Sequence, residues 1–175
     1  MNLKEKIRNI PDFPKKGIMF FDITTLIKDG EALRFAVDEM AKQYKDKKID
    51  AIMGAESRGF ILGAAMAYKL GVGFIPVRKP GKLPYETCQV SYDLEYGSSS
   101  LEMHADAINK GDNILIVDDL VATGGTAKAM AQIIEKMGGI VVGFSFLVEL
   151  SFLNPGKLLE GYELHSLVEY DSETM

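Results

Sequence analysis

The chain has 175 residues, of which 47% are hydrophobic and 26% charged, and its formal net charge is −5. This length is enough for one domain with a real core, and the acidic balance argues against a nucleic-acid-binding surface spread over the whole protein. No apolar run is long enough to span a membrane, and Cys88 is the single cysteine, which excludes an intrachain disulfide. The first seven residues mix charged and apolar side chains and lack the apolar stretch of a signal peptide. We therefore expect a single domain over residues 1–175 of a cytoplasmic protein that binds neither nucleic acid nor a membrane.

The first half of the chain predicts alternating helices and strands. Leu3, Ile7 and Ile10 are spaced along one face of a short helix that ends before Pro11. An irregular segment follows over residues 11–17, and residues 18–23 are apolar enough for a strand or a pocket-lining loop. Further on, the pattern predicts an amphipathic helix over 30–47, a buried strand over 50–55, a helix over 60–70 and a strand over 71–77.

The second half continues the alternation after one interruption. Residues 89–104 predict a hairpin, here called the flap, with a flexible tip rich in Gly and Ser. A buried strand over 114–117, a helix over 127–137 and strands over 140–147 and 162–168 follow. This order implies an α/β fold, with a mostly parallel sheet covered by helices on both faces.

The most informative segment is Ile114-Leu-Ile-Val-Asp-Asp-Leu-Val-Ala-Thr-Gly-Gly-Thr126. Asp118 and Asp119 stand where the buried strand is expected to end, and a Thr/Gly loop leads into the next helix. Backbone N–H groups of such a loop and the helix N-terminus attract a phosphate, while carboxylates accept hydrogen bonds from sugar hydroxyls or approach a divalent cation. The segment therefore predicts a site for a phosphorylated sugar, although a strand end with solvated carboxylates and a plain turn has the same outline.

Two further strand ends supply cations. Arg58 follows the strand that ends near residue 55, and Arg78, Lys79 and Lys82 follow the strand that ends near residue 77. Arginine suits bidentate contact with phosphate oxygens, and lysine acts as a point charge. Since the carboxyl ends of parallel strands lie at one edge of the sheet, we expect these cations to face the phosphosugar loop. Each one taken singly also fits a solvated surface charge.

Two weaker signals concern a binding slot for a flat heterocyclic base and a group that could transfer a proton. The neighbouring aromatic residues Phe20 and Phe21 suit a slot for a flat heterocycle, but they suit plain core packing as well. Glu95 near the flap tip is a carboxylate placed where it can close over a substrate and move a proton. Most glutamates beside a Gly/Ser turn are merely solvated.

Taken together, seven segments in order resemble one family over roughly residues 7 to 150. They are Pro11-Asp-Phe-Pro14, Phe21-Asp-Ile-Thr24, Glu56-Ser-Arg-Gly-Phe60, Arg78-Lys-Pro-Gly-Lys-Leu-Pro84, Leu94-Glu-Tyr-Gly97, Leu101-Glu-Met-His104 and Val117-Asp-Asp-Leu-Val-Ala-Thr-Gly-Gly-Thr126. The chain resembles the adenine phosphoribosyltransferases, within the type I phosphoribosyltransferase family. The last of these segments is the motif that many type I relatives share, and the joint pattern is more specific.

The resemblance implies a fold, a reaction and a set of site residues. The fold adds a small N-terminal hood and the flap. The reaction converts adenine and 5-phosphoribosyl-1-pyrophosphate to AMP and pyrophosphate with Mg²⁺, in a homodimer. By resemblance, Ala122, Thr123, Gly124, Gly125 and Thr126 bind the 5-phosphate, and Asp118 and Asp119 face the ribose hydroxyls. Arg58, Arg78, Lys79 and Lys82 serve the pyrophosphate, Glu95 is the general acid/base, Phe20 stacks on adenine, and the backbone of Met19 and Phe21 recognises its edge.

The resemblance assigns no direct protein ligand to the Mg²⁺, which it places on the pyrophosphate and ribose hydroxyls near Asp118 and Asp119. Phe21 stands where an arginine is common in the family, and the flap tip lacks a frequent charge. Two alternatives stay open at this point. One is the same chemistry on hypoxanthine, guanine, xanthine or orotate, and the other is a non-catalytic sensor of the phosphosugar.

Overall fold

The computed structural model describes residues 1–93 and 98–172. The strands are β1 (Arg8–Ile10), β2 (Phe20–Asp22), β3 (Ala51–Ala55), β4 (Gly73–Val77), β5 (Thr87–Asp93), β6 (Ser98–His104), β7 (Asn113–Val121), β8 (Ile140–Leu150) and β9 (Leu164–Tyr170). The α-helices are α1 (Thr24–Lys28), α2 (Gly30–Lys42), α3 (Arg58–Leu70), α4 (Gly125–Lys136) and α5 (Pro155–Leu158). Short 3₁₀ turns cover Leu3–Lys6 and Ser151–Leu153. No helix in these described parts is both long and apolar enough to cross a membrane.

A five-stranded sheet in the order β4-β3-β7-β8-β9 forms the centre, and all its neighbours pair in parallel. The chain moves outward from β3 to β4 and later returns to the other side of β3 as β7. The strand order therefore reverses between β3 and β7, and ligands of such sheets bind at the carboxyl ends of the strands beside this reversal. The predicted parallel sheet is confirmed.

The two faces of the sheet carry different helices. Leu115 and Val117 of β7 belong to the buried cluster that includes α2 and α3, whereas Ile114 and Ile116 belong to the cluster that includes α4. Successive side chains of a strand point to opposite faces, so a run of four apolar residues fills both cores. The prediction of helices on both faces is confirmed.

The N-terminal segment over residues 3–23, here called the hood, differs in part from the sequence-based expectation. Only Leu3–Lys6 forms a helical turn, and Arg8–Ile10 is a strand that pairs antiparallel with Phe20–Asp22. Ile7 and Leu3 are both buried, so the apolar spacing that predicted a helix comes from side chains packed on the main core. Phe21 stacks on Tyr170 at the end of β9, with 4.0 Å between ring centres, which anchors the hood to the edge strand.

The flap is an antiparallel hairpin of β5 and β6, with Thr87 opposite His104 and Asp93 opposite Ser98. Leu101 and Met103 are buried in the same core as α4. The predicted hairpin is therefore confirmed in its two strands. Glu95 and the rest of segment 94–97 lie outside the described residues.

Candidate active site

The Thr/Gly loop between β7 and α4 encloses a cavity of about 130 Å³. Its lining includes Asp118, Phe146 and the whole of segment 122–126. Gly124 precedes α4 with φ +90°, in the left-handed region, and a Cβ there would lie 3.3 Å from the carbonyl oxygen of Pro155. Glycine therefore permits the tight turn that directs the first N–H groups of α4 into the cavity. Those N–H groups have no partner within the helix, so they suit a phosphate.

The strand that carries the carboxylate pair is longer than expected. β7 continues through Asp118 and Asp119 to Val121, so the prediction that the strand ends at these residues is wrong. The reason lies in its two neighbours. Pairing with β3 is described only as far as Ile116, whereas pairing with β8 continues to Val121 opposite Glu149. The carboxylates thus lie on a stretch of β7 that is open on the β3 side.

Burial and mutual repulsion perturb the carboxylate pair. Asp118 Oδ1 accepts a hydrogen bond of 2.8 Å from the backbone N–H of Asp119. Burial, followed by the negative charge of Asp119, raises the pKa of the Asp118 carboxyl well above its usual value. Two carboxylates held this close favour a bound cation or hydroxyl donors, since either relieves the repulsion between them.

Gly59, at the start of α3, lies against this pair. A Cβ at residue 59 would come within 2.5 Å of Asp118 Oδ1, a distance that real Cβ atoms essentially never show. The helix can therefore approach the open side of β7 only because residue 59 has no side chain. This close approach brings the preceding residue, Arg58, to the carboxylates.

Arg58 connects the sugar side of the site to the hood. Its Nε donates to Asp119 Oδ2 in an ion pair, and its guanidinium lies over the Phe20 ring, 5.6 Å from the ring centre. The Arg58 side chain is 44% exposed, whereas that of Asp119 is 10% exposed. The arginine is thus held at its inner end and remains open to solvent, where it can meet a phosphate.

The basic loop after β4 is organised by a carboxylate at the end of β3. Glu56 Oε2 accepts hydrogen bonds from Arg78 Nε at 3.0 Å and Nη2 at 2.9 Å. Glu56 Oε1 accepts 2.7 Å from the backbone N–H of Lys79, and Arg78 Nη1 donates to the Lys82 carbonyl at 3.1 Å. The Lys79 N–H, then Arg78, lower the pKa of the Glu56 carboxyl. Arg78 is therefore a fixed support of the loop, while Lys79 and Lys82 are exposed.

The base side is formed by the hood. Phe20 is half-buried and meets Phe13 edge to face, with 5.1 Å between ring centres. Met19 is half-buried beside the main core, and Phe21 turns its buried ring away to Tyr170. Asp22 pairs with Arg8 of the neighbouring strand at 2.9 Å, so a guanidinium still lies beside this segment although residue 21 is not arginine.

The structure thus places Phe20, Arg58, Asp118, Asp119 and the Thr/Gly loop around one edge of the sheet. The basic loop lies beside them and is held there by Glu56.

Sequence reasoning gave no function to Glu56, Glu102 or Tyr92. Glu102 is buried and accepts a 3.1 Å hydrogen bond from the N–H of Gly81. Tyr92 reaches Thr126 from the flap. Only long-range pairing reveals these three, since each is an ordinary strand or loop residue in the sequence.

This fold and this cradle define a phosphoribosyltransferase. A family model described as the phosphoribosyl transferase domain matches residues 24–156. The adenine phosphoribosyltransferase of Brachyspira hyodysenteriae is 60% identical over 170 residues, which cover 97% of this chain and 100% of that protein.

Solved structures agree with this match. The crystal structure of adenine phosphoribosyltransferase from Thermoanaerobacter pseudethanolicus has a TM-score of 0.94 and 53% identity, covering 96% of this chain and 98% of that one. The Saccharomyces cerevisiae enzyme, complexed with an imino-altritol bisphosphate and adenine, has a TM-score of 0.88 and 38% identity over 94% and 95% of the two chains. This chain belongs to the adenine phosphoribosyltransferase family.

Proposed function

We propose that this chain carries out the reaction of its family through the residues gathered at the carboxyl edge of the sheet. The reaction joins N9 of adenine to C1 of 5-phosphoribosyl-1-pyrophosphate, releases pyrophosphate and gives AMP, a step of purine salvage. The observation that supports these assignments most is the continuity of the site. Arg58 contacts Asp119 beside the phosphate cradle and Phe20 on the hood at the same time.

The phosphosugar is bound at β7 and the loop that follows it. Segment 122–126 surrounds the 5-phosphate with backbone N–H groups and the hydroxyls of Thr123 and Thr126. Asp118 and Asp119 accept hydrogen bonds from the two ribose hydroxyls. A phosphate held at one end and hydroxyls held in the middle fix the position of C1, which lowers the entropy cost of reaction.

The pyrophosphate departs toward the cationic side chains. Arg58, Lys79 and Lys82 stabilise the negative charge that grows as the bond from C1 breaks. Arg78 keeps the loop in place through Glu56, and its own charge adds to the positive field. Because Lys79 and Lys82 are exposed and the Arg58 side chain is 44% exposed, water and salt weaken these charges in the open site, and their effect is greatest in direct contact with the leaving group.

The base is held on the Phe20 ring, with its edge against the backbone of Met19 and Phe21. The N9 lone pair of adenine attacks C1 as the pyrophosphate leaves, and a proton must depart from the imidazole part of the base. Glu95 accepts that proton. A purine with the wrong exocyclic group leaves a buried polar edge unpaired, which disfavours it by about 1–3 kcal/mol.

Mg²⁺ fits the donor set of the site. Mg²⁺ prefers oxygen ligands and commonly uses one or two carboxylates together with substrate phosphates. The described residues hold no group of three or more acidic, His or Cys side chains arranged for a metal, so we place the ion on the pyrophosphate and ribose hydroxyls near Asp118 and Asp119. When bound, the ion supplies positive charge to the leaving group.

We infer further that the protein acts as a cytoplasmic homodimer built from single catalytic domains of residues 1–175. Support for the dimer comes from α3, where Tyr68 is 92% exposed and Ile61 is 42% exposed. Such side chains on one helix suit a surface between two copies. Light scattering of the purified protein measures the mass directly, and a monomeric mass contradicts this part.

The testing experiment is purine turnover by the purified chain with phosphoribosyl pyrophosphate and Mg²⁺. Adenine, hypoxanthine, guanine, xanthine and orotate are supplied separately, and nucleotide product is followed. We expect AMP from adenine alone and loss of the product when a chelator removes Mg²⁺. Product from another base would support phosphoribosyl transfer but overturn the assignment of adenine as the substrate. Binding of the phosphosugar without any product would instead indicate a non-catalytic sensor.

A further inference from the structure

Tyr92 on the flap strand β5 forms a contact with the phosphate loop. Its hydroxyl lies 3.3 Å from Thr126 Oγ1, a hydrogen-bond distance, and its half-buried ring packs on the core that contains Ala127 and Met130 of α4. Thr126 also lines the cavity of the Thr/Gly loop. The side chain proposed to bind the 5-phosphate therefore has a second partner, which comes from the flap.

The chemistry of two neighbouring hydroxyls gives this contact a direction. A hydroxyl has one proton to donate and two lone pairs that accept. If the Tyr92 O–H donates to Thr126 Oγ1, the proton of Thr126 is left to point elsewhere. Thr126 lines the cavity, and a phosphate oxygen bound there is a stronger acceptor than a neutral hydroxyl. The pair then forms a chain that runs from tyrosine to threonine to phosphate.

A separate tie holds the flap strand on α4. Lys136 Nζ donates to the carbonyl oxygen of Gln89 at 3.0 Å, on the exposed side of the same strand. Val90 also packs on the core. Loss of the Tyr92 hydroxyl alone therefore leaves the strand attached, so its effect on ligand binding can be separated from an effect on flap docking.

We propose that Tyr92 is a positioning residue for the 5-phosphate: it fixes the hydroxyl of Thr126 so that the threonine donates into the cradle. This inference rests on the proposed function, since it takes segment 122–126 as the 5-phosphate site. It also extends the site onto the flap.

The experiment measures the affinity of ribose 5-phosphate and of pyrophosphate, by calorimetry on the full chain. The variants are Tyr92→Phe, Thr126→Val, the double variant, and Lys136→Met as the control that loosens the flap without touching Thr126. We expect Tyr92→Phe to weaken the binding of ribose 5-phosphate by about two- to tenfold, which is the range of one neutral hydrogen bond, and to leave the affinity for pyrophosphate unchanged. In the double variant the two losses are less than additive, because both remove one chain of hydrogen bonds.

Three results overturn the proposal. The first is wild-type affinity in Tyr92→Phe, which makes the tyrosine a packing residue only. The second is an equal loss for both ligands, and the third is the same loss in Lys136→Met, since both point to the flap as a whole. Thr126→Val checks the premise of the proposal: if it binds ribose 5-phosphate normally, the Thr126 hydroxyl is not part of the 5-phosphate site and the inference has no basis, whereas failure of the wild-type chain to bind ribose 5-phosphate would overturn the loop assignment in the proposed function. If Thr126→Val is weakened while Tyr92→Phe is not, only the present inference fails.

Discussion

Arg58 and Asp119 form an ion pair across the mouth of the site, from the first residue of α3 to the inner face of β7. The guanidinium makes two contacts at once: its Nε donates to the carboxylate, and its Cζ lies over the Phe20 ring of the hood. A lysine ammonium is a compact point charge and cannot reproduce this fork of donors spread over both partners. Arg58 therefore has two structural contacts besides the pyrophosphate binding proposed for it.

Arg58→Lys tests this reading of the ion pair. Lysine keeps the charge but loses Nε and the guanidinium group that lies over Phe20. We expect the KM for phosphoribosyl pyrophosphate to rise by about tenfold or more, the value of a charge-assisted hydrogen bond. Steady-state kinetics with both substrates varied measures the change. The matched control, Arg34→Lys on the exposed side of α2, should keep wild-type constants; a silent Arg58→Lys would mean that charge alone suffices.

Gly59→Ala probes the approach of α3 to β7. The added Cβ meets Asp118 Oδ1 at 2.5 Å, so either the helix or the carboxylate must move. We expect a loss of stability of about 1–3 kcal/mol and a fall in kcat/KM that reaches about a hundredfold if the carboxylate moves by 1 Å. Thermal unfolding and kinetics report the two effects.

The control for that substitution is Gly30→Ala. Gly30 begins α2 and has nothing within 4 Å of the added Cβ, so the change should be neutral or slightly stabilising. Wild-type activity in Gly59→Ala would contradict the view that Asp118 must keep its position.

Glu56→Gln tests the support of the basic loop. The amide keeps the shape of the side chain but removes the negative charge. Its one oxygen can still accept, but the NH₂ group cannot, so either the Arg78 bonds or the Lys79 N–H bond is lost. We expect a several-fold higher KM for phosphoribosyl pyrophosphate and little change in the KM for adenine. Equal changes in both constants would instead indicate a general disturbance of the site.

Much of the fold could be predicted from the sequence, because local patterns specify it. The buried runs of β3, β7 and β8 and the amphipathic spacing of α2 gave a parallel sheet with helices on both faces. The prediction of a helix at the start of the chain was wrong. Leu3 and Ile7 have helical spacing, but Leu3 lies in a 3₁₀ turn and Ile7 caps its end, and both side chains are buried in the main core. Burial by distant residues, rather than local periodicity, decided the conformation there.

The site shows the same division between local and long-range information. The Thr/Gly loop and the carboxylate pair were found as a motif, since their chemistry lies in consecutive residues. The hydrogen bonds of Glu56 with Arg78 and of Tyr92 with Thr126 join residues that are 22 and 34 positions apart, and no local sequence pattern predicts them. The length of β7 was also missed, because it depends on β8 continuing where β3 stops.

Glu95→Ala is the direct test of the proposed acid/base group, which lies outside the described residues. We expect kcat to fall by about 10²–10⁴, the usual contribution of a positioned proton acceptor, while the affinity for phosphoribosyl pyrophosphate survives. Rapid-mix kinetics and calorimetry separate the two. Glu86→Ala, an exposed glutamate at the base of the flap, is the control. Normal turnover in Glu95→Ala would remove this residue from the chemistry.

Asp118→Asn should make the protein more stable and less active, with a pH dependence that follows from the raised pKa of Asp118. Burial and the charge of Asp119 make the ionised carboxyl unfavourable in the folded state. The folded protein therefore keeps the proton to higher pH than the unfolded chain, and wild-type stability falls as pH rises from about 4, the unfolded pKa, through the raised folded value. Asparagine cannot ionise, and its Oδ1 can still accept from the Asp119 N–H.

We expect Asp118→Asn to raise the free energy of unfolding by about 0.5–2 kcal/mol at neutral pH, which corresponds to about 2–4 °C in Tm for each kcal/mol. Below pH 4 we expect no difference in stability from the wild type. Thermal unfolding over a pH series measures this. Adding Asp119→Asn should abolish useful turnover, because the sugar hydroxyls then face no carboxylate. A pH-independent gain would assign the stabilisation to packing, and retained turnover in the double variant would make the pair structural. Asp118 would then be a carboxylate that lowers the stability of the fold and is still needed for turnover. Such a combination is expected in a binding site for a polar ligand that carries a cation, because the bound ligand relieves the repulsion between Asp118 and Asp119 that remains in the folded protein.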